Sequence, residues 1–130
     1  MYSERLLDHF QKPRNVGELP PPAVSVEVSQ PVCGDLLRLS AEFRGGRVAE
    51  VRYQTRGCTA TIAAGSALTE WLTGKTAAEI AALRPADIEE AVGGLGNESK
   101  HAAVLCVDAA RALVKKWGQS RPVPRPPALS

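Results

Sequence analysis

Asp35-Leu36-Leu37-Arg38-Leu39-Ser40-Ala41-Glu42-Phe43-Arg44-Gly45-Gly46-Arg47-Val48-Ala49-Glu50-Val51-Arg52-Tyr53-Gln54-Thr55 is the stretch that decides the fold. Leu37, Leu39, Ala41 and Phe43 alternate with Arg38, Ser40, Glu42 and Arg44, the period of two expected of a strand with one buried face. Gly45-Gly46 then supplies a two-residue hairpin turn, where positive φ angles cost glycine little. The return strand, Arg47 to Thr55, turns Ala49, Val51 and Tyr53 inward against Glu50, Arg52 and Gln54. Upstream, Val24, Val26 and Val28 alternate with Ser25, Glu27 and Ser29 until Pro31 ends the run. Three sequential strands with short connections predict an antiparallel sheet with one wet face.

Helical periods flank this sheet. Ser3 caps a short amphipathic helix to Lys12, with Leu6, Leu7 and Phe10 as its apolar face and Pro13 as its stop. His9 on that helix reads as a surface residue. Pro13 to Pro22 reads as an extended connector. After Gly57, Ala60, Ala64, Ala67, Leu68, Trp71 and Leu72 recur at helical spacing from Cys58 to Thr73, and Gly74 closes the segment. Thr76 caps a short helix to Leu83, with Glu79 at the capping-box position. Another short helix runs from Asp87 to Val92. The last helix spans Lys100 to Trp117, with Ala103, Val107, Ala110, Val114 and Trp117 in one stripe widened by Ala102, Cys106, Ala109 and Leu113. The order predicts an α+β fold, a three-stranded antiparallel sheet with helices packed on one face. Residues 1–117 form one domain. From Gly118 onward, Pro122, Pro124, Pro126 and Pro127 mark a tail expected to be disordered.

Composition narrows the function classes. At 130 residues the chain fits one domain. Charged residues make up 23% and hydrophobic ones 44%, the balance of an ordinary globular protein. A net charge of +2 and only six aromatics argue against nucleic acid as a partner. No apolar run approaches the roughly 18 residues of a membrane span. Met1-Tyr2-Ser3-Glu4-Arg5 lacks the basic-then-apolar order of a signal peptide, and three cysteines make no disulfide framework, so a cytoplasmic location with reduced thiols is expected. Gly93-Gly94-Leu95-Gly96 follows no strand and is no phosphate loop.

The chemistry sits at junctions between elements. Cys33, in Pro31-Val32-Cys33-Gly34-Asp35, lies at the bend between the first two strands, with the Asp35 carboxylate beside it. Cys58 follows Gly57 at a strand-to-helix switch, where helix N–H groups favour a thiolate. His101 opens the last helix after a glycine-rich loop. Two sulfurs, a carboxylate and an imidazole suffice for four-coordinate zinc or for iron. Each cysteine could equally serve as a small buried hydrophobe, and His101 could be exposed or capping. Cys106, inside an apolar helix face, reads as core.

These residues resemble the IscU/NifU-type iron–sulfur cluster assembly scaffolds. The likeness rests on Pro31-x-Cys33-Gly34-Asp35, then strand–turn–strand, then Gly57-Cys58 before an alanine-rich helix. Leu7-x-His9-Phe10-x-x-Pro13-Arg14-Asn15-Val16-Gly17, Thr69-Glu70-Trp71, Gly74-Lys75-Thr76 and Lys100-His101 extend it from Tyr2 to Trp117. The resemblance implies a non-catalytic scaffold on which a [2Fe–2S] cluster is assembled. It implies a cysteine desulfurase as sulfur source, an iron donor, and apo client proteins as recipients. Cys33 and Cys58 match the first two ligand cysteines, Asp35 the aspartate that keeps the cluster labile, and His101 the histidine before the third cysteine. Ala102 stands where the family has that third cysteine. Cys106 does not replace it, because four residues along a helix move a side chain by about 6 Å. The family's proline-containing chaperone motif has no match in Gly96-Asn97-Glu98-Ser99-Lys100. Histidine can substitute for cysteine on an iron, as in Rieske-type centres, and zinc suits the same ligands. The other readings are a zinc-bound persulfide relay serving a sulfurtransferase, and a member that retains only partner docking.

Overall fold

Strict alternation along three neighbouring segments builds the sheet on which everything else is placed. The computed structural model describes residues 2–30 and 34–120. Strands β1 (Val24–Gln30), β2 (Asp35–Arg44) and β3 (Arg47–Arg56) pair antiparallel in the order β1-β2-β3. The Arg44–Arg47 pair closes the hairpin, with Gly45 and Gly46 at φ +61° and +78°. Helices α1 (Glu4–Gln11), α2 (Thr59–Leu72), α3 (Ala77–Ala81), α4 (Pro85–Ala91) and α5 (Lys100–Ser120) complete the chain, with a 3-10 turn at Asn97–Ser99. α2 packs on β3, and α5 on β1 and β2; α1 lies against α2. Leu37, Leu39, Val51, Tyr53, Leu68, Leu72, Leu105 and Leu113 fill the space between sheet and helices, all buried. Phe43 stacks on Trp117 with ring centroids 4.3 Å apart, tying the hairpin end to α5. The helix thus runs three residues beyond the expected end at Trp117; residues 121–130, where the proline-rich tail falls, lie outside the described residues.

The sheet departs from simple alternation at one point. A register shift at Glu42/Phe43 sets Glu42 opposite Glu50 but Phe43 opposite Val48, so Ala49 is the extra residue of a bulge. Val48, not Ala49, therefore enters the core, at 2% exposure against the intermediate exposure of Ala49. The connector is also more than a linker. The Gly17 N–H donates to the Tyr53 carbonyl and the Tyr53 N–H to the Asn15 carbonyl, each at 2.9 Å, extending the β3 edge. The Leu19 N–H donates to Ser40 Oγ at 2.9 Å, so Ser40, expected on a wet face, is buried.

The first helix presents another face than expected. Ser3 caps it, accepting from the Leu6 N–H at 3.0 Å, and the Ser3 hydroxyl also donates to the Val92 carbonyl. Leu6 is fully buried, whereas Leu7 and Phe10 are exposed at 38% and 36%; the inward partner of Leu6 is His9, three residues on. His9 is no surface residue. Its Nδ1 lies 2.7 Å from Ser66 Oγ and 3.1 Å from Arg14 Nη1, and its Nε2 lies 3.5 Å from Glu70. A guanidinium only donates, so Nδ1 is the lone-pair nitrogen and Nε2 carries the proton. Ser66 Oγ in turn accepts from the Arg14 N–H at 2.9 Å.

Burial first, and the Arg14 charge second, hold the His9 pKa below its ordinary 6.5, while Glu70 and Asp8 pull it up. The folded chain therefore sheds this proton more readily than the unfolded chain. Neutral His9 contributes its full stability above the ordinary pKa, and that contribution is lost as pH falls below it through the lower folded value. His9→Asn keeps an acceptor near Nδ1 but cannot titrate. Urea unfolding from pH 7.5 to 5 is expected to show a steeper loss of stability on acidification for the native chain than for His9→Asn. His101, shifted upward, loses its contribution as pH rises, but it is common to both chains and cancels in the comparison. Parallel profiles would contradict the assignment of His9 as a buried neutral base.

Candidate metal centre

Three segments distant in sequence end at one corner of the sheet. Asp35 opens β2, Cys58 is the N-cap of α2, and His101 lies in the first turn of α5. One ligand atom from each of the three falls within 4.8 Å of the others. His101 Nε2 is 3.0 Å from Asp35 Oδ2 and 3.8 Å from Cys58 Sγ. Asp35 is 5% exposed, while the Cys58 thiol is open to solvent. Zinc bonds of about 2.3 Å to sulfur and about 2.0–2.2 Å to nitrogen or oxygen give tetrahedral edges of about 3.3–3.6 Å. The two edges at His101, 3.0 and 3.8 Å, straddle that range. Two of the three edges thus lie within a few tenths of an ångström of those around one tetrahedral cation, and the third is no longer than 4.8 Å.

Local sequence explains why the corner forms. Gly57 lets the chain pass against the carboxylate: a Cβ there would lie 2.9 Å from Asp35 Cγ and 3.1 Å from Thr61 Cβ. The strand then turns directly into α2 and leaves Cys58 at its positive end. The 3-10 turn Asn97–Ser99 feeds α5 so that His101 starts the helix beside Cys58. Burial raises the Cys58 pKa, but hydrogen bonding from Thr61, side chain and backbone, and from His101 outweighs it and holds the thiol below its ordinary value. Burial lowers the His101 pKa, but Cys58 and Asp35 outweigh it and hold the imidazole above its ordinary value. Together these shifts push the pair toward thiolate and imidazolium, so ion capture there releases a proton.

Cys33 lies outside the described residues. Cys106 is 1% exposed, with a thiol pKa pushed up to about 12 by burial, and is absent from the ligand group. Ala102 is fully buried beside His101 in the sequence. Thr61 was not singled out by sequence, yet its hydroxyl reaches both Asp35 and Cys58. Its place three residues after Cys58, at N3 of α2, is the only signal the sequence held. Among the described residues no helix is long and apolar enough to cross a membrane.

An α+β domain of this topology matches a known class. Residues 1–122 match the NifU-like N-terminal domain family model, and the chain belongs to that family. It is 39% identical over 114 residues to "Iron-sulfur cluster assembly scaffold protein IscU 1" of Archaeoglobus fulgidus, covering 88% of this chain and 74% of that protein. To the Escherichia coli K12 protein named "Iron-sulfur cluster assembly scaffold protein IscU" it is 34% identical over 124 residues, covering 92% and 96%. The crystal structure of a NifU-like N-terminal protein from Brucella abortus superposes with a TM-score of 0.71 at 18% identity, over 92% of this chain and 95% of that one, and shows the shared fold.

Proposed function

We propose that this chain is a scaffold, working without turnover, on which an iron–sulfur cluster of the [2Fe–2S] type is built and from which it is passed on. The observation that carries the reading is the convergence of Asp35, Cys58 and His101 within 4.8 Å, in a member of a family whose relatives are named as such scaffolds. Cys33 joins them as the second sulfur. Thiolates hold the irons, imidazole serves as a nitrogen ligand, and the Asp35 carboxylate is the weak, exchangeable contact through which the cargo leaves. With Ala102 in place of a further thiol, the hold is looser than a full cysteine set gives, which suits transfer. Sulfur comes from a cysteine desulfurase, iron from a donor, and the product goes to apo client proteins, in a cytoplasmic setting that keeps thiols reduced. Zinc fits the same corner and is expected in protein purified without added iron.

Anaerobic incubation of the full chain with ferrous iron and sulfide tests the reading. The expected result is visible-range charge-transfer absorption with iron and inorganic sulfide bound in equal amounts. Protein that stays colourless and retains neither would overturn it.

A second reading, sulfur relay, is favoured by one observation: the Cys58 thiol is exposed and held below its ordinary pKa. In that case incubation with a desulfurase and cysteine adds sulfur mass to the native chain but not to Cys58→Ala. Absence of added mass on the native chain removes the relay.

A further inference from the structure

We propose that Thr61 is a positioning residue of this centre, its hydroxyl donating to Asp35 and so fixing which way the carboxylate faces beside Cys58. The inference rests on the metal-binding reading above and deepens it. Thr61 is fully buried at N3 of α2, one turn after Cys58. Its Oγ1 lies 2.6 Å from Asp35 Oδ2 and 3.4 Å from Cys58 Sγ. Threonine hydroxyls within helices commonly bond the carbonyl four residues back. This one instead reaches a carboxylate on another element, 26 positions earlier in the sequence.

The hydroxyl has a single proton, and the carboxylate at 2.6 Å takes it. The sulfur, at 3.4 Å, has the weaker claim on it. Asp35 Oδ2 thus accepts from Thr61 and also meets His101 Nε2. An ion bound to His101 through Nε2 removes any proton from that nitrogen. Thr61 is then the donor that still orients the carboxylate. A carboxylate has lone pairs enough to accept the hydroxyl and ligate at once. Hydrogen bonds of this kind, one step behind the ligands, typically set metal affinity by about 10–100-fold.

The test is an anaerobic titration of the full chain with cobalt(II), read by thiolate-to-cobalt charge-transfer absorption and by competition with a chelator. Four chains are compared: native, Thr61→Val, Thr61→Ser and Thr61→Ala. Valine keeps the shape and loses the hydroxyl. Serine and alanine both lose the methyl and differ only in the hydroxyl, so this pair carries the same comparison should the valine chain not fold. The expected result is a dissociation constant raised about 10–100-fold in the valine and alanine chains, with an altered charge-transfer band. The serine chain is expected to stay within about threefold of native with the native band. Serine and alanine chains equally weakened, or valine indistinguishable from native, would overturn the positioning role and leave the metal centre standing. A native chain without a thiolate–cobalt band would instead remove the metal centre itself, and the positioning role with it.

Discussion

Cys58→Ala is expected to abolish retention of iron and sulfide while leaving the fold intact. In the proposed centre Cys58 is one of two sulfurs, and its loss leaves the Cys33 thiolate with a carboxylate and an imidazole. A single thiolate beside hard or borderline ligands suits a lone divalent cation better than a cluster. The thiol is exposed, so the change in stability should stay within about 0.5 kcal/mol. Cys106→Ala is expected to give the opposite pattern. That thiol is 1% exposed in the core, so its removal should cost about 1 kcal/mol and leave cluster loading at the native level. Iron and sulfide analysis after anaerobic reconstitution, paired with thermal unfolding of each chain, checks both halves. Loading by Cys58→Ala at the native level would contradict the assignment.

Gly65→Ala is expected to destabilise the protein by about 1–3 kcal/mol through overpacking. In an ordinary helix the same change gains about 0.8–1.0 kcal/mol. Here a Cβ would stand 2.6 Å from Tyr53 Cε2 and 2.7 Å from Cδ2. The ring has little room to yield: Tyr53 is 2% exposed, its backbone is in β3, and its hydroxyl donates to the Ile62 carbonyl at 2.8 Å. Gly65 therefore sets how closely α2 approaches the sheet, and α2 carries Cys58 at its start. Urea unfolding should show a lower midpoint with an unchanged slope. In a Tyr53→Ala background the same substitution should cost nothing, since the atoms that collide are gone. A Gly65→Ala chain more stable than native would contradict this account of the packing.

Most of the architecture was legible because the signals were local and periodic. Alternation along Leu37–Phe43, the Gly45-Gly46 turn, the Thr76–Glu79 capping box and the helical stripe through Ala103 and Val107 each depend on neighbours a few residues away. The face of α1 was not legible. Leu6, Leu7 and Phe10 gave an apolar stripe, but the tertiary partners Ser66, Arg14 and Glu70 drew His9 inward and left Leu7 and Phe10 outside. The bulge at Ala49 escaped for a similar reason: a run of alternating residues does not reveal that one of them is skipped by its partner strand. Likewise, Ser40 gave no sign that the connector would cover it.

The candidate centre was legible as residue types at junctions, and the resemblance joined them into one site. What sequence lacked was the layer behind the ligands. Thr61 looked like any small residue on a helix until its hydroxyl lay against a carboxylate from another strand. Gly57 marked only the strand-to-helix switch, whereas its missing Cβ makes room for that carboxylate.

If Asp35, Cys58 and His101 grip one metal centre together, X-ray absorption at the zinc edge, on the full chain loaded with a single equivalent of zinc, reads out their ligand atoms. The expected spectrum is that of a four-coordinate shell mixing sulfur at about 2.3 Å with nitrogen and oxygen at about 2.0–2.2 Å. Imidazole outer-shell scattering is expected to disappear in His101→Ala, and sulfur scattering to weaken in Cys58→Ala. A six-coordinate, all-oxygen shell, unchanged by either substitution, would contradict that shared grip.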